Sequence, residues 1–254
     1  MTILPRKHRT LVMTLLLTLL WEAAYRAGLL NPIIFGSPIL VVQAAMKDGD
    51  NFLRAFQVTA FEMVVAVAIA WIAGVLLGIV IGISRFAAIL IAPLLSAMIA
   101  LPLIVLYPAF VAGLGIGPIS KIAYGTLNGV FPVMLATMLG VSTVDKQYLV
   151  MATAMGASRV QLVTQVIARM AVPTIVSGLR VGMSLAIIGV ITSEMLASVE
   201  GVGFWISYHR TLFNVGHVYL GIIQMLLVAI AANWILKQLE DRLGRWKQGV
   251  QTGK

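Results

Sequence analysis

The chain has 254 residues, 60% of them hydrophobic and only 11% charged. Soluble domains carry roughly 25% charged residues, so the composition excludes a water-soluble globular enzyme and indicates a polytopic membrane protein. The net charge of +9 would suggest nucleic acid in a soluble protein, but in a membrane it follows from loops rich in Lys and Arg; with no Cys at all, disulfides, thiolate metal sites and thiol catalysis are excluded as well.

Six segments are long and apolar enough to span a bilayer, which needs about 20 such residues. The first runs from about Thr10 to Gly28. Arg6, Lys7 and Arg9 before Leu11–Leu20 also fit a signal peptide, but the apolar run continues past Trp21 without a clean cleavage site. The next stretch, Asn31–Gln57, is polar and holds Pro32, Pro38, Asp48 and Asp50, with room for a short interfacial helix over Pro38–Met46. The second span, Thr59–Ser84, places Ala66, Ala70, Gly74, Gly78 and Gly82 at every fourth position. Residues four apart share a helix face, and a face without side chains lets another helix approach closely. That packing is expected within one bundle, with a seam between two copies as the alternative.

The third span, Ala87–Ala112, is interrupted by Pro93, Pro102 and Pro108. Each proline removes a backbone donor, and Pro102 lies deepest. A helix broken near mid-membrane either lines a path or is simply kinked. The fourth span covers Ile116–Val144 and the fifth Thr174–Ala197, with Gly178, Gly182 and Ala186 repeating the small-residue device. An outer excursion follows at Ser198–His217, where Gly201 and Gly203 sit beside Phe204, Trp205 and Tyr208, suiting a short helix tucked back on the bundle. The sixth span is Val218–Leu239. With the N-terminus inside, 12 Lys and Arg fall on the inner side and 5 on the outer, Arg180 remaining within a span. The bias puts both termini in the cytoplasm.

Charges inside spans are few. Arg180 lies near the inner side, Glu62 and Glu194 near the outer side, close enough to the interfaces for all three to snorkel. Asn128 and Asn233 are placed to hydrogen-bond between helices. Gly113–Lys121, GLGIGPISK, fails the phosphate-binding loop pattern, and His8, His209 and His217 have no metal-ligand spacing. No catalytic residues, cofactor or metal ligands are identified.

Between the fourth and fifth spans lies a basic helical segment on the inner side. Asp145 is placed to cap a helix, Gly156 to break it, Ser158 to cap a second short helix, and Pro173 to mark the start of the fifth span. The segment resembles the cytoplasmic Glu-Ala-Ala loop of binding-protein-dependent ABC permeases. Val150, Met151 and Ala152 occupy the Glu-Ala-Ala positions, so only Ala152 matches. Gly156, Ala157, Ser158 and Pro173 match, while Arg169 replaces the first of the two usual prolines. Pro102, Gly113-Leu114-Gly115-Ile116-Gly117, Phe131-Pro132, Val144-Asp145, Ser177-Gly178-Leu179-Arg180, Glu194, Gly201-Val202-Gly203 and Leu239-Glu240-Asp241-Arg242 follow the order seen in permeases of the nitrate, sulfonate and taurine type.

The resemblance implies an all-α membrane protein with the type-1 ABC importer permease fold, six transmembrane helices and cytoplasmic coupling helices. Its parts would be a first span with an outer amphipathic segment (1–55), a transmembrane core (56–240) containing the coupling loop (145–173), and a basic tail (241–254). Ala152, Gly156, Ala157, Ser158 and Pro173 would couple to an ATPase. Pro102, Arg180, Glu194, Gly74 and Gly78 are candidates for the pathway or its packing. The implied partners are ATP-binding ABC subunits, a second permease copy as a homodimer, membrane lipid, and a periplasmic or lipid-tethered substrate-binding protein. No nucleic acid is implied. The location would be the bacterial inner membrane, and the cargo an organic or inorganic anion such as nitrate, a sulfonate or a taurine-like compound. The alternative is an ATP-independent secondary transporter or channel, which the absence of an acidic relay and of an inverted repeat disfavours.

Overall fold

The computed structural model describes the backbone of residues 6–243 and the side chains of residues 12–238. The part of the expected basic tail beyond 243 lies outside the described residues. Ten α-helices occur among the described residues: α1 Arg6–Arg26, α2 Pro38–Gly82, α3 Arg85–Ala100, α4 Tyr107–Leu114, α5 Pro118–Ser142, α6 Lys146–Ala154, α7 Arg159–Gln161, α8 Ala168–Leu196, α9 Val202–Thr211 and α10 Val215–Leu243. No strand occurs among the described residues.

Local chemistry sets several of these boundaries. Ser37 accepts from the Ile39 amide (3.1 Å) and Pro38 opens α2, a favourable first helical position because its missing N–H would have no partner there. Asp48 leaves the helical region (φ −122°, ψ 25°), so α2 is a first arm, a kink, and then a longer apolar helix. Ser84 caps α3 through the Ala87 amide.

Four segments are long and apolar enough to cross a membrane: Pro38–Gly82, Pro118–Ser142, Arg159–Leu196 and Val215–Gln238. A fifth arises if α3 and Leu103–Leu114, bent by 80° at Pro102, count as one broken span. Six were expected. Helix α1 covers the first expected span, with charged residues towards both ends, but is not among these segments.

Helix α5 is the centre of the bundle, held between α2 and α8. The small-residue stripes make this possible. A Cβ on Gly74 would lie 2.7 Å from Val133, one on Gly78 2.6 Å from Thr137 and one on Gly82 2.8 Å from Val141, so α2 meets α5 at near-backbone separation. From the other side Gly178 faces Ala136, and Gly182 faces Val133 and the Gly129 carbonyl. At Gly129 all three helices converge, because a Cβ there would meet both the Gly182 carbonyl and Ala70. The Trp71 indole donates to the Leu179 carbonyl (3.0 Å), tying α2 directly to α8. The opposite faces expose Phe61, Val64, Ile72, Val80, Phe86 and Ile89, a surface that suits lipid and not water.

Two expectations are corrected here. Pro173 does not open a helix but lies inside α8, so no helix boundary falls there. The helix after Ser158 is not short either: Arg159–Leu196 runs for 38 residues, through a π-helical stretch at Leu162–Ile167. A proline within a membrane helix is tolerated where neighbours or wider turns take up the freed carbonyl.

Candidate functional site

One end of the bundle, expected from the Lys and Arg bias to be the inner end, is built from α6, the 155–158 turn and the start of the long helix. Asp145 accepts from the Gln147 amide (3.0 Å) and starts α6. Its end is a left-handed glycine cap. Gly156 has φ +82°, its N–H donates to the Thr153 carbonyl (2.9 Å), and the Ala157 N–H donates to the Ala152 carbonyl (3.0 Å). Ser158 then opens the next helix with reciprocal bonds: its Oγ accepts from the Gln161 amide (3.3 Å) while Gln161 Oε1 accepts from the Ser158 amide (2.8 Å). Ala152, Gly156, Ala157 and Ser158 therefore form one rigid elbow, whereas Pro173 lies apart in α8. Nothing in α6 or α7 is buried. Tyr148, Val150, Met151 and Val160 are exposed, and Met155 is 86% exposed.

The opposite end, expected to be the outer one, has the opposite character. Glu62 of α2, Lys121 of α5 and Glu194 of α8 are 0%, 3% and 1% exposed. The snorkelling expected of Glu62 and Glu194 does not occur, because each carboxylate has a partner inside the bundle. Lys121 Nζ lies 2.6 Å from Glu62 Oε1 as an ion pair, out of line for a hydrogen bond. It also donates to Ser198 Oγ (3.1 Å). Glu194 Oε1 accepts from the Thr59 hydroxyl (2.7 Å) and Oε2 from the Gly203 amide (2.7 Å), while Thr59 Oγ1 accepts from the Val202 amide (2.7 Å). The Tyr107 hydroxyl donates to the Ala197 carbonyl (3.2 Å). Gly201, at φ +103°, leaves no room for a Cβ against the Glu194 carboxylate. The 197–203 loop is thus pinned to four helices by polar contacts.

Sequence reasoning missed Thr59, Lys121 and Ser198. Two acids buried in apolar helices demand a cation, and Lys121, three residues into an apolar helix, was the available signal. The remaining pathway candidates are dispersed. Pro102 is exposed at the break, Arg180 is half-buried in α8, and Gly74 and Gly78 are packed against α5. Asn128 and Asn233 bond to carbonyls of their own helices, Tyr124 and Ala229, and not across helices. Among the described residues, no group of three or more metal-ligating side chains is placed to hold an ion.

Residues 74–245 match the family described as the inner membrane component of binding-protein-dependent transport systems. The chain belongs to that family. Its members are the membrane permease subunits of ABC importers, transport components and not enzymes. The chain is similar to the formylaminopyrimidine transport permease protein ThiX of Halalkalibacterium halodurans, 28% identical over 92% of this chain and 94% of that protein. It is likewise similar to a putative aliphatic sulfonates transport permease protein, SsuC, of Bacillus subtilis, 24% identical over 91% and 85%. Among solved structures, an inward-facing form of the MetNI methionine ABC transporter aligns with TM-score 0.66 at 13% identity, covering 76% of this chain and 96% of that one. That likeness establishes the type-1 importer permease fold. The elbow lies within the matched residues.

Proposed function

We propose that this permease works as one of two identical copies, with ATP-binding subunits on the cytoplasmic side and a periplasmic or lipid-tethered binding protein outside. Both termini are cytoplasmic in this arrangement, as the Lys and Arg bias of the loops requires. The carrying observation is the elbow: a rigid two-helix projection that exposes Tyr148, Val150, Met151, Met155 and Val160 and buries none of its own residues in α6 or α7. Exposed apolar side chains on a capped, rigid support are what a docking surface needs. Closure of the ATPase dimer would push on this elbow. The long Arg159–Leu196 helix would carry the movement to the bundle, because it is continuous with the elbow's second half. Glu62, Lys121 and Glu194 hold the outer loop in place and do not contact solute.

The cargo is a small solute handed over by the binding protein. Compact anions such as sulfonates, taurine and nitrate are one class, supported by the motif order and by the relative named for aliphatic sulfonates. Nitrogen heterocycles are a second class, supported by the relative named for formylaminopyrimidine.

Reconstituted alone in vesicles, the chain should neither hydrolyse ATP nor move solute down an ion gradient. With ATPase subunits and loaded binding protein, ATP-dependent uptake should appear. Gradient-driven uptake by the chain alone would reverse the reading in favour of a secondary transporter.

A further inference from the structure

The break in the third span opens a cavity of about 300 Å³ between the 99–104 segment, the middle of α5 and the outer half of α8. Pro102, Tyr124, Asn128, Phe131, Gly189 and Thr192 are among its lining residues. None of the lining residues is Lys, Arg, His, Asp or Glu. We propose that this cavity is the membrane-level solute site, and that it takes an uncharged single-ring nitrogen heterocycle carrying N–H donors. The proposal rests on the importer reading and chooses between its two cargo classes.

Three observations carry it. First, the walls are aromatic and aliphatic. Tyr124 is held in place by Tyr107 (ring centroids 5.1 Å) and Phe110 (5.9 Å), so it offers a fixed ring edge, and Phe131 lies two turns along the same helix. Flat conjugated rings gain from such walls by stacking or edge contacts. Secondly, the polar atoms of the lining are uncharged and include free acceptors. Asn128 uses an amide N–H on the Tyr124 carbonyl (2.8 Å), leaving its carbonyl oxygen as an acceptor. The Thr192 hydroxyl donates to the Ile188 carbonyl (2.6 Å), leaving oxygen lone pairs. Ring amino groups would satisfy these oxygens, whereas a sulfonate or nitrate would enter a lining with no cation to balance its charge, a costly arrangement away from water. Thirdly, the size suits one ring. An apolar cavity of about 150 Å³ admits benzene, so this one has room for a substituted single ring. Beside the cavity Gly189 lets α8 lie close against α5, since a Cβ there would meet Gly125 Cα at 3.0 Å and the Asn128 amide at 3.1 Å.

The test uses the full chain in lipid nanodiscs, without ATPase or binding protein, and equilibrium dialysis with tritiated 4-amino-2-methylpyrimidine. Saturable binding is expected, uncompeted by a thousandfold excess of taurine or nitrate. Phe131→Ala and Asn128→Leu should each weaken it roughly tenfold, with Phe131→Tyr close to the parent. Melting temperatures of the variants serve as the folding control. Absence of saturable binding, competition by taurine or nitrate, or unchanged affinity in both folded variants would each overturn the proposal. Failure of the importer reading looks different: pyrimidine binding would persist, but ATP-dependent uptake with the full assembly would be absent.

Discussion

The two ends of the bundle solve opposite problems. At the outer end three charged side chains lie inside the protein, and the 197–203 loop over them is held by polar contacts to α2, α4, α5 and α8. At the inner end the helices of the elbow are locally well capped but bury no side chain fully, and several of their apolar side chains are exposed. The outer end is therefore internally satisfied. The inner end is held by local caps and leaves Tyr148, Val150, Met151, Met155 and Val160 exposed. The contrast teaches where this permease keeps its shape and, under the function proposed above, where it offers contacts to another chain.

If the outer end is a structural lock, removing its cation should have the largest effect. Lys121→Met leaves Glu62 buried with no counter-charge, and breaking a buried pair from one side costs about 3–5 kcal/mol. Detergent-solubilised protein should melt much lower or fail to accumulate. The double variant Glu62→Gln with Lys121→Met removes both charges and should recover much of the loss. A Lys121→Met protein that melts like the parent would show that the ion pair is not what holds the outer end.

Between the two ends, the glycine seam should come next. Gly78→Leu must place a side chain where Thr137 and the Met134 carbonyl already lie within 2.6 and 2.8 Å of the added Cβ. Overpacking of this kind costs about 1–3 kcal/mol. The expected readout is lower yield and a lower melting temperature. Tolerance of Leu would mean that α2 can move away from α5 freely, contrary to a rigid core linking the ends.

The inner end should respond differently. A Cβ added at Gly156 would stand in open space, so Gly156→Val would act through the backbone alone. A β-branched residue at φ +82° is strained by about 1–2 kcal/mol. Bundle melting should change little, while co-purification of the ATP-binding subunits and ATP-dependent uptake should fall together. Unimpaired uptake would remove the elbow from the coupling path.

How legible each end was in the sequence follows from the range of its interactions. The elbow depends on neighbours in the chain: Asp145, Gly156 and Ser158 are readable because caps act over two or three residues. The glycine stripes are readable because their period is that of the helix itself, and the break at Pro102 because proline lacks a donor. The Glu62–Lys121 and Glu194–Thr59 pairings join distant parts of the chain, so only the need for a counter-charge was visible, not which residue met it. The continuity of the long helix through Pro173 was hidden for another reason. Proline argues for a boundary in isolation, and only the surrounding bundle and the π-helical stretch before it overrule that.

The smallest expected effect lies at the periphery of the outer end, where the lock meets water. His209 of α9 stacks on His217 of α10, with ring centroids 4.3 Å apart, and His217 Nε2 sits 2.8 Å from Asp48 at the kink of α2. Trp205 covers the other ring neighbourhood of His209 at 4.4 Å, and Asn214 Nδ2 approaches its Nδ1 at 3.5 Å. Burial, with the nearby His217 adding to it and Asp48 opposing, lowers the His209 pKa to about 4 from its ordinary 6.5. The folded state thus favours the neutral ring, while the unfolded chain binds its proton from pH 6.5 downward. Stability from this group is fully present above pH 6.5 and is lost as the pH falls towards about 4. Melting temperature should decline modestly over that window, and His209→Gln, which cannot titrate, should flatten the decline while leaving the elbow's ATPase association untouched. An equal decline in the His209→Gln protein would place the acid sensitivity elsewhere and leave this corner of the outer end as packing alone.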